Sequence, residues 1–209
     1  MPSYKLTYFP LRGRGEPIRM LLTLAGQEFE EETVPFAEWS EFRKNTPFGH
    51  LPVLHVDGKP LGQTLAILRY LAKEYGFYGS TPLECAMVDA VAEQHVDFGF
   101  EYGQWHRVNV GYAKGDKDAL YRDVYLPARA KHFPLFVKMI RENPSGYLVG
   151  SSLTYVDLLV ATRMELLEAC DPNGAQLYDG FPELKEHRDK VYTDARLAKY
   201  LATRPAYPY

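Results

Sequence analysis

Val53-Leu54-His55-Val56-Asp57-Gly58-Lys59-Pro60-Leu61 carries the clearest local fold signal in the chain. Val53 to Val56 are strand-like and run into Asp57-Gly58, a pair that tolerates the positive φ angles of a tight two-residue turn; Lys59 to Leu61 then return. The stretch is a hairpin. A helix is expected directly after it, with Leu65, Leu68 and Leu71 on one face. Upstream, Tyr4 to Phe9 and Phe29 to Val34 read as strands. Between them a helix from Pro17 to Ala25 has proline at its start and Gly26 at its stop.

The resulting order, β-α-β, an irregular loop, then β-β-α, predicts a small mixed sheet with helices, of thioredoxin-like type. Beyond a short linker, Gly76 to Ser80, the pattern is almost all helical. Thr81-Pro82-Leu83-Glu84 opens this half: threonine caps, proline takes the first helical position and Glu84 reaches back to the cap's amide. Long helices are expected from Leu83 to Val110 and from Lys117 to Glu142. Thr154 and Asp157 form a capping box, with Leu153 stapled onto Leu158, before a helix to Ala169 that is apolar on most faces. That helix is expected to be the buried centre of an all-helical domain. The chain therefore divides into an α/β domain, 1–79, and an all-α domain, 80–209.

The 209 residues are 46% hydrophobic and 24% charged, enough for a sizeable core. A net charge of -3 without a run of Lys or Arg gives nucleic acid no electrostatic footprint. No apolar stretch approaches membrane-spanning length, and the N-terminus runs directly into a strand-like segment without a signal-peptide pattern. Cys85 and Cys170 lie in helix-like apolar surroundings, not at metal-ligand spacing, and read as reduced core residues of a cytoplasmic protein.

In the first half, three places carry candidate chemistry. Tyr8 ends the first strand just before the turn Pro10 to Gly15, and strand ends beside a helix start are where α/β folds place ligands; a rim tyrosine is the plain alternative. Gly13-x-Gly15 lacks the third glycine of a dinucleotide fingerprint and the lysine of a P-loop. Leu51-Pro52 opens a strand, and a cis bond there turns the Leu51 backbone outward to pair with an extended peptide; an ordinary trans proline at an edge is the alternative. Thr64 begins a helix, where its hydroxyl and free N–H groups suit a carboxylate, unless it only caps that helix. On a later helix Asp89, Glu93, Asp97 and Glu101 recur every four residues, which suggests a positive partner; a solvated acidic face is the reading preferred for Asp89 and Glu101.

Tyr4-Lys5-Leu6-Thr7-Tyr8-Phe9, Arg12 to Arg19, Pro47 to Leu54, Gln63-Thr64-Leu65-Ala66-Ile67 and the Thr154/Asp157 box together resemble the sigma-class cytosolic glutathione transferases. With the tail Thr203-Arg204-Pro205, the chain is most similar to the nematode transferases set apart as a nu class. The resemblance implies a thioredoxin-like domain, a helical domain, a homodimer, glutathione as co-substrate and no required metal. Tyr8 then matches the catalytic tyrosine and Pro52 the cis-proline, with Leu51 pairing the cysteinyl backbone. Gln63 and Thr64 match the grip on the γ-glutamyl end, Trp39 and Arg43 the glycyl end, and Gly49 and His50 the loop beside them. Asp97 matches an acid that reaches the γ-glutamyl ammonium from the other subunit. Phe9, Arg14, Tyr102 and Trp105 are the expected electrophile site, and Arg14 is also among the expected glutathione contacts, beside the sulfur. Four positions depart from the pattern: Thr64 for serine, Arg43 for lysine, His50 for Gln or Lys, and Val96 for an acid of the prostaglandin D synthases in this class. The last argues against a divalent-cation site. The implied activity is conjugation of the glutathione thiolate to small apolar electrophiles. The rivals are a carrier of haem or other apolar ligands, a glutathione-dependent prostaglandin isomerase, and a crystallin, which has no need of Tyr8, Gln63 and Thr64.

Overall fold

The computed structural model describes residues 2–208. It has two compact units. In the first, β1 (Tyr4–Tyr8), β2 (Glu30–Thr33), β3 (Val53–Val56) and β4 (Lys59–Gly62) form one sheet in the order β2-β1-β3-β4. β1 is parallel to β2 and antiparallel to β3, and β3 and β4 make the expected hairpin. Its turn has φ of 48° at Asp57 and 78° at Gly58, both in the left-handed region that the pair was read to supply. β1 stops one residue short of the expected Phe9, where Pro10 has no N–H for the ladder and Leu11 turns back to bond the Phe9 carbonyl.

Helix α1 (Glu16–Leu24) is buried along nearly its whole length. After the short helix α2 (Trp39–Phe42) in the irregular loop, α3 (Thr64–Tyr75) follows the hairpin. Ile67, Leu68, Leu71 and Ala72 form its buried face, while Leu65 is only half-buried. α1 packs on α3, and Leu6, Leu54, Ile18 and Leu21 complete the core.

The second unit spans Gly79–Val191. α4 (Pro82–Asn109) starts as expected, with the Thr81 hydroxyl accepting from the Glu84 amide at 3.1 Å. Glu84 takes the Ser80 amide, one residue before the one expected. The single helix read from Lys117 to Glu142 is three pieces: α5 (Lys117–Leu120), a wide π turn (Tyr121–Tyr125) and α6 (Leu126–Glu142). Pro127 lacks the N–H that a continuous ladder needs, and the wide turn precedes it. α7 (Tyr155–Cys170) is the buried helix the sequence predicts, and its capping box is formed. Asp157 accepts from the Thr154 amide (2.8 Å) and hydroxyl (2.9 Å), and also from the Leu148 amide (2.9 Å) and His187 Nε2 (2.9 Å) on α8 (Pro182–Tyr192). One carboxylate thus caps α7 and anchors α8.

The chain from Tyr192 onward, including α9 (Ala198–Thr203), belongs to the first unit, although sequence order places it in the helical domain. Buried Glu16 explains this: Tyr200 and Arg204 bond its carboxylate at 3.0 and 2.6 Å, and a buried carboxylate without partners would be costly. Cys85 and Cys170 are free thiols but half-buried, not core, each lying near a helix end. Among the described residues no helix is long and apolar enough to cross a membrane.

Candidate functional site

Strand register gathers the three candidate segments. Thr7 pairs with Val53 and Val53 with Gly62, so Tyr8, Leu51-Pro52 and Gln63-Thr64 arrive at one end of three adjacent strands. Tyr8 shares a buried cluster with Leu11, Val34, Leu51 and Val53, against which Phe9, Trp39 and Phe42 pack. The Leu51-Pro52 bond is cis. Among the described residues, the Leu51 backbone enters no turn or loop hydrogen bond.

The Tyr8 hydroxyl accepts a hydrogen bond from the Arg14 amide at 2.9 Å. Its ring reaches that amide because the two flanking residues are glycines. A Cβ at Gly13 would sit 2.9 Å from the Tyr8 oxygen, and one at Gly15 would sit 2.6 Å from ring atom Cδ1. Gly13-x-Gly15 is therefore a seat for the tyrosine. A hydroxyl that accepts in this way retains its own proton to donate to another group. The Arg14 side chain is exposed.

Two charged residues of this region escape sequence reasoning. Arg19 is 1% exposed, with its guanidinium 5.8 Å from the Tyr8 ring centroid, and it pairs with Glu16 at 3.3 Å and Glu31 at 2.5 Å. The only available signal was two charges, Glu16 and Arg19, inside an otherwise apolar helix.

Gln63 has φ 71° and ψ 114°, a backbone conformation rare for a non-glycine residue and often held at ligand clamps. It sits in the N-cap position of α3, and no side chain caps that helix. Thr64 is the first helical residue, so the reading in which it only caps its own helix is removed. Its hydroxyl forms no hydrogen bond among the described residues, and the first-turn N–H groups lie beside it.

The loop between β2 and β3 carries the remaining candidates. Trp39 meets Phe9 edge-on at 5.1 Å, and Phe9 stacks at 4.9 Å on exposed Phe36, an aromatic neighbour that the sequence did not single out. Arg43 is exposed, with its guanidinium 3.9 Å from where a Gly49 side chain would begin. Gly49 has φ 66°, and the exposed His50 donates from Nδ1 to the Phe48 carbonyl at 2.6 Å.

In the second unit the candidates separate. Asp97 is exposed on α4 and has no hydrogen-bond or ion-pair partner among the described residues. Asp89 and Glu101 are not a solvated face: Asp89 accepts from the Tyr155 hydroxyl at 2.7 Å, and Glu101 pairs with Lys131 and with buried His132 at 3.1 Å. Tyr102 and Trp105 are interior residues, 1% and 0% exposed. Trp105 stacks on Tyr125 at 4.2 Å, and Arg163 donates to the Tyr102 hydroxyl. Their helical spacing builds core, not the apolar surface expected for an electrophile.

The chain matches two family models, the glutathione S-transferase N-terminal domain over residues 4–73 and the glutathione S-transferase C-terminal domain over residues 105–204. It is 46% identical to probable glutathione S-transferase 7 of Caenorhabditis elegans over 209 residues, all of both chains. Among solved structures, it resembles the monomeric Na-GST-3 of the hookworm Necator americanus, with 44% identity, TM-score 0.92, and coverage of 99% of this chain and 100% of that one. It also resembles a Nu-class transferase of Haemonchus contortus, with 44% identity, TM-score 0.88 and full coverage of both chains. With full-length identity of this order and both domain models matched, the chain belongs to the glutathione S-transferase family.

Proposed function

We propose that this transferase ionises the thiol of glutathione with the Tyr8 hydroxyl and passes the thiolate to small apolar electrophiles. The observation that carries the reading is the bond from the Arg14 amide to the Tyr8 oxygen, which orients a hydroxyl whose proton can be donated to a sulfur. A free thiol, with a pKa of roughly 8.5, is only a few per cent thiolate at neutral pH. A hydrogen bond to the charged sulfur contributes about 1.5 to 3 kcal/mol, which is roughly one to two pKa units. The thiol proton goes to solvent, a sulfur lone pair forms the bond to the electrophile, and any leaving group departs with its electrons. The reaction needs no metal.

The tripeptide lies along the ends of the three strands. Leu51 beside Pro52 pairs the cysteinyl backbone as an added strand. Thr64 and Gln63 hold the γ-glutamyl carboxylate, an assignment supported by the uncommitted hydroxyl and the positive φ. Trp39 and Arg43 take the glycyl end, with Gly49 and His50 shaping the loop. Asp97 takes the γ-glutamyl ammonium of a second copy, and exposed Leu83, Met87 and Phe100 on α4 supply apolar surface for that homodimer. The electrophile lies against Phe9 and the Arg14 side chain. The same aromatic face, with Phe36, suits haem or other planar apolar ligands as non-catalytic occupants. The first unit, with the returning tail from Tyr192, is the glutathione-binding part and 79–191 the helical part of a sigma-like, cytoplasmic enzyme. Retention on immobilised glutathione, followed by conjugation of a generic aryl halide, tests the reading. A protein that neither binds the resin nor conjugates the halide is not such an enzyme.

A further inference from the structure

The proposed glutathione contacts lie between residues 8 and 64 and at Asp97, yet the far end of the chain is built into the same loop. The Arg12 amide donates to the Pro208 carbonyl at 2.9 Å. Two residues beyond Arg14, buried Glu16 accepts from Arg204 at 2.6 Å and from Tyr200 at 3.0 Å. Arg14, whose amide orients Tyr8, is thus flanked on each side by a residue anchored to the tail. Arg19 ties the parts together. Its Nη1 donates to the Leu11 carbonyl at 3.1 Å and to Glu16 at 3.3 Å. Its guanidinium lies 5.8 Å from the Tyr8 ring centroid and 5.7 Å from that of Tyr207 in the tail.

We infer that Arg204 and the Tyr207-Pro208 segment are positioning residues for the Tyr8 hydroxyl, holding the 12–16 turn so that the Arg14 amide stays on the phenolic oxygen. A phenol that accepts a hydrogen bond is the better donor in its turn, so the tail tunes how strongly Tyr8 stabilises a thiolate. It does not hold the tripeptide, because the proposed grips on glutathione lie elsewhere. This inference rests on the reading of Tyr8 as the thiolate's donor.

The test titrates the ultraviolet absorbance of enzyme-bound thiolate and measures kcat and the KM for glutathione. The variants are Arg204→Met, Arg204→Lys, a chain lacking residues 206–209, Tyr8→Phe, and the first and third combined with Tyr8→Phe. The expected result is a titration midpoint raised by roughly 0.5 unit and a kcat below neutral pH lowered about threefold, with KM nearly unchanged, in Arg204→Met and in the shortened chain. Arg204→Lys should restore most of the loss, and neither tail change should add to Tyr8→Phe, because a group acting through the hydroxyl has nothing to act on once it is gone. The shortened chain leaves the Arg204–Glu16 pair intact, so it decides the matter if Arg204→Met fails to fold. Midpoints unchanged by the tail variants while Tyr8→Phe moves its own overturn the inference. A tail shift of full size in the Tyr8→Phe background also overturns it. If Tyr8→Phe itself moves nothing, the reading of Tyr8 fails instead.

Discussion

The backbone amide of Arg14 donates to the phenolic oxygen of Tyr8 at 2.9 Å, across a turn kept open by Gly13 and Gly15. A hydroxyl that accepts this bond still carries its own proton, which it can donate to a thiolate. Tyr8→Phe should therefore lower conjugation by on the order of 10² while leaving glutathione affinity within a few-fold, since the hydroxyl acts on ionisation and not on holding the tripeptide. The pH profile of kcat should move upward by about one unit or more. Wild-type activity in this variant would remove Tyr8 from the mechanism.

Gly15→Ala tests the seat itself. Gly15 has φ -78°, which alanine adopts freely, so backbone strain plays no part. The added methyl would lie 2.6 Å from Tyr8 Cδ1 and 3.1 Å from Arg19 Nη1, and both side chains are buried. Overpacking of this kind costs about 1 to 3 kcal/mol, and the displaced ring should lower kcat as well. Urea unfolding and steady-state kinetics on the same preparation check both effects; an alanine variant equal to wild type in both would show that the ring does not sit there.

Thr64 separates ligand binding from helix stability. If its hydroxyl holds the γ-glutamyl carboxylate, Thr64→Ala should lose about 1.5 to 3 kcal/mol of glutathione binding and Thr64→Ser almost none. Because the hydroxyl caps nothing in α3, neither variant should move Tm appreciably. Equal affinities in the two variants would take Thr64 out of the site.

These three tests use positions whose legibility in the sequence differs for physical reasons. The hairpin was readable because Asp57-Gly58 is a local signal that meets a local requirement. Tyr8 was readable as a strand end, but its seat was not, since Gly13-x-Gly15 has the same letters whether it cradles a phosphate or a ring. Gln63 carries a rare φ that its residue type does not announce. Tyr102 and Trp105 misled because aromatics at helical spacing look alike in a core and on a pocket wall. Glu16 pairs with residues 184 and 188 positions away, beyond the reach of any periodicity, and the tail's return to the first unit depends on that pairing.

Acid stability should report on His106. Burial, first, and then the charges of Arg163 and Arg107 hold its imidazole down to about 4. Between pH 6.5 and that value the unfolded chain binds a proton that the folded chain does not, so stability falls as pH drops through this window and levels off below it. The difference of about two and a half units sets an upper bound of roughly 3 kcal/mol on this contribution. His106→Gln should flatten the dependence of unfolding free energy on pH between 6.5 and 4. Parallel curves for variant and wild type would show that His106 is not the group responsible.

Asp97 lies in the other unit from every other proposed glutathione contact, exposed on α4 and without a partner among the described residues. An acid so placed can serve a ligand held by a second copy of the chain. In a two-fold dimer the contact is made twice, and each site is complete only when both chains are present. Asp97→Asn should then weaken glutathione binding by about 1.5 to 3 kcal/mol, with Tm nearly unchanged because the carboxylate bonds nothing in its own fold. Mixing subunits decides where it acts. In a heterodimer of one Asp97→Asn chain and one Tyr8→Phe chain, the first keeps its own Tyr8 and receives an intact Asp97 from its partner, so one good site survives. If Asp97 serves its own chain, every site carries one lesion, and at glutathione concentrations well below the weakened Kd activity nearly vanishes. About half of wild-type activity per dimer is the expected result, and near-zero activity would rule out a contact across the interface.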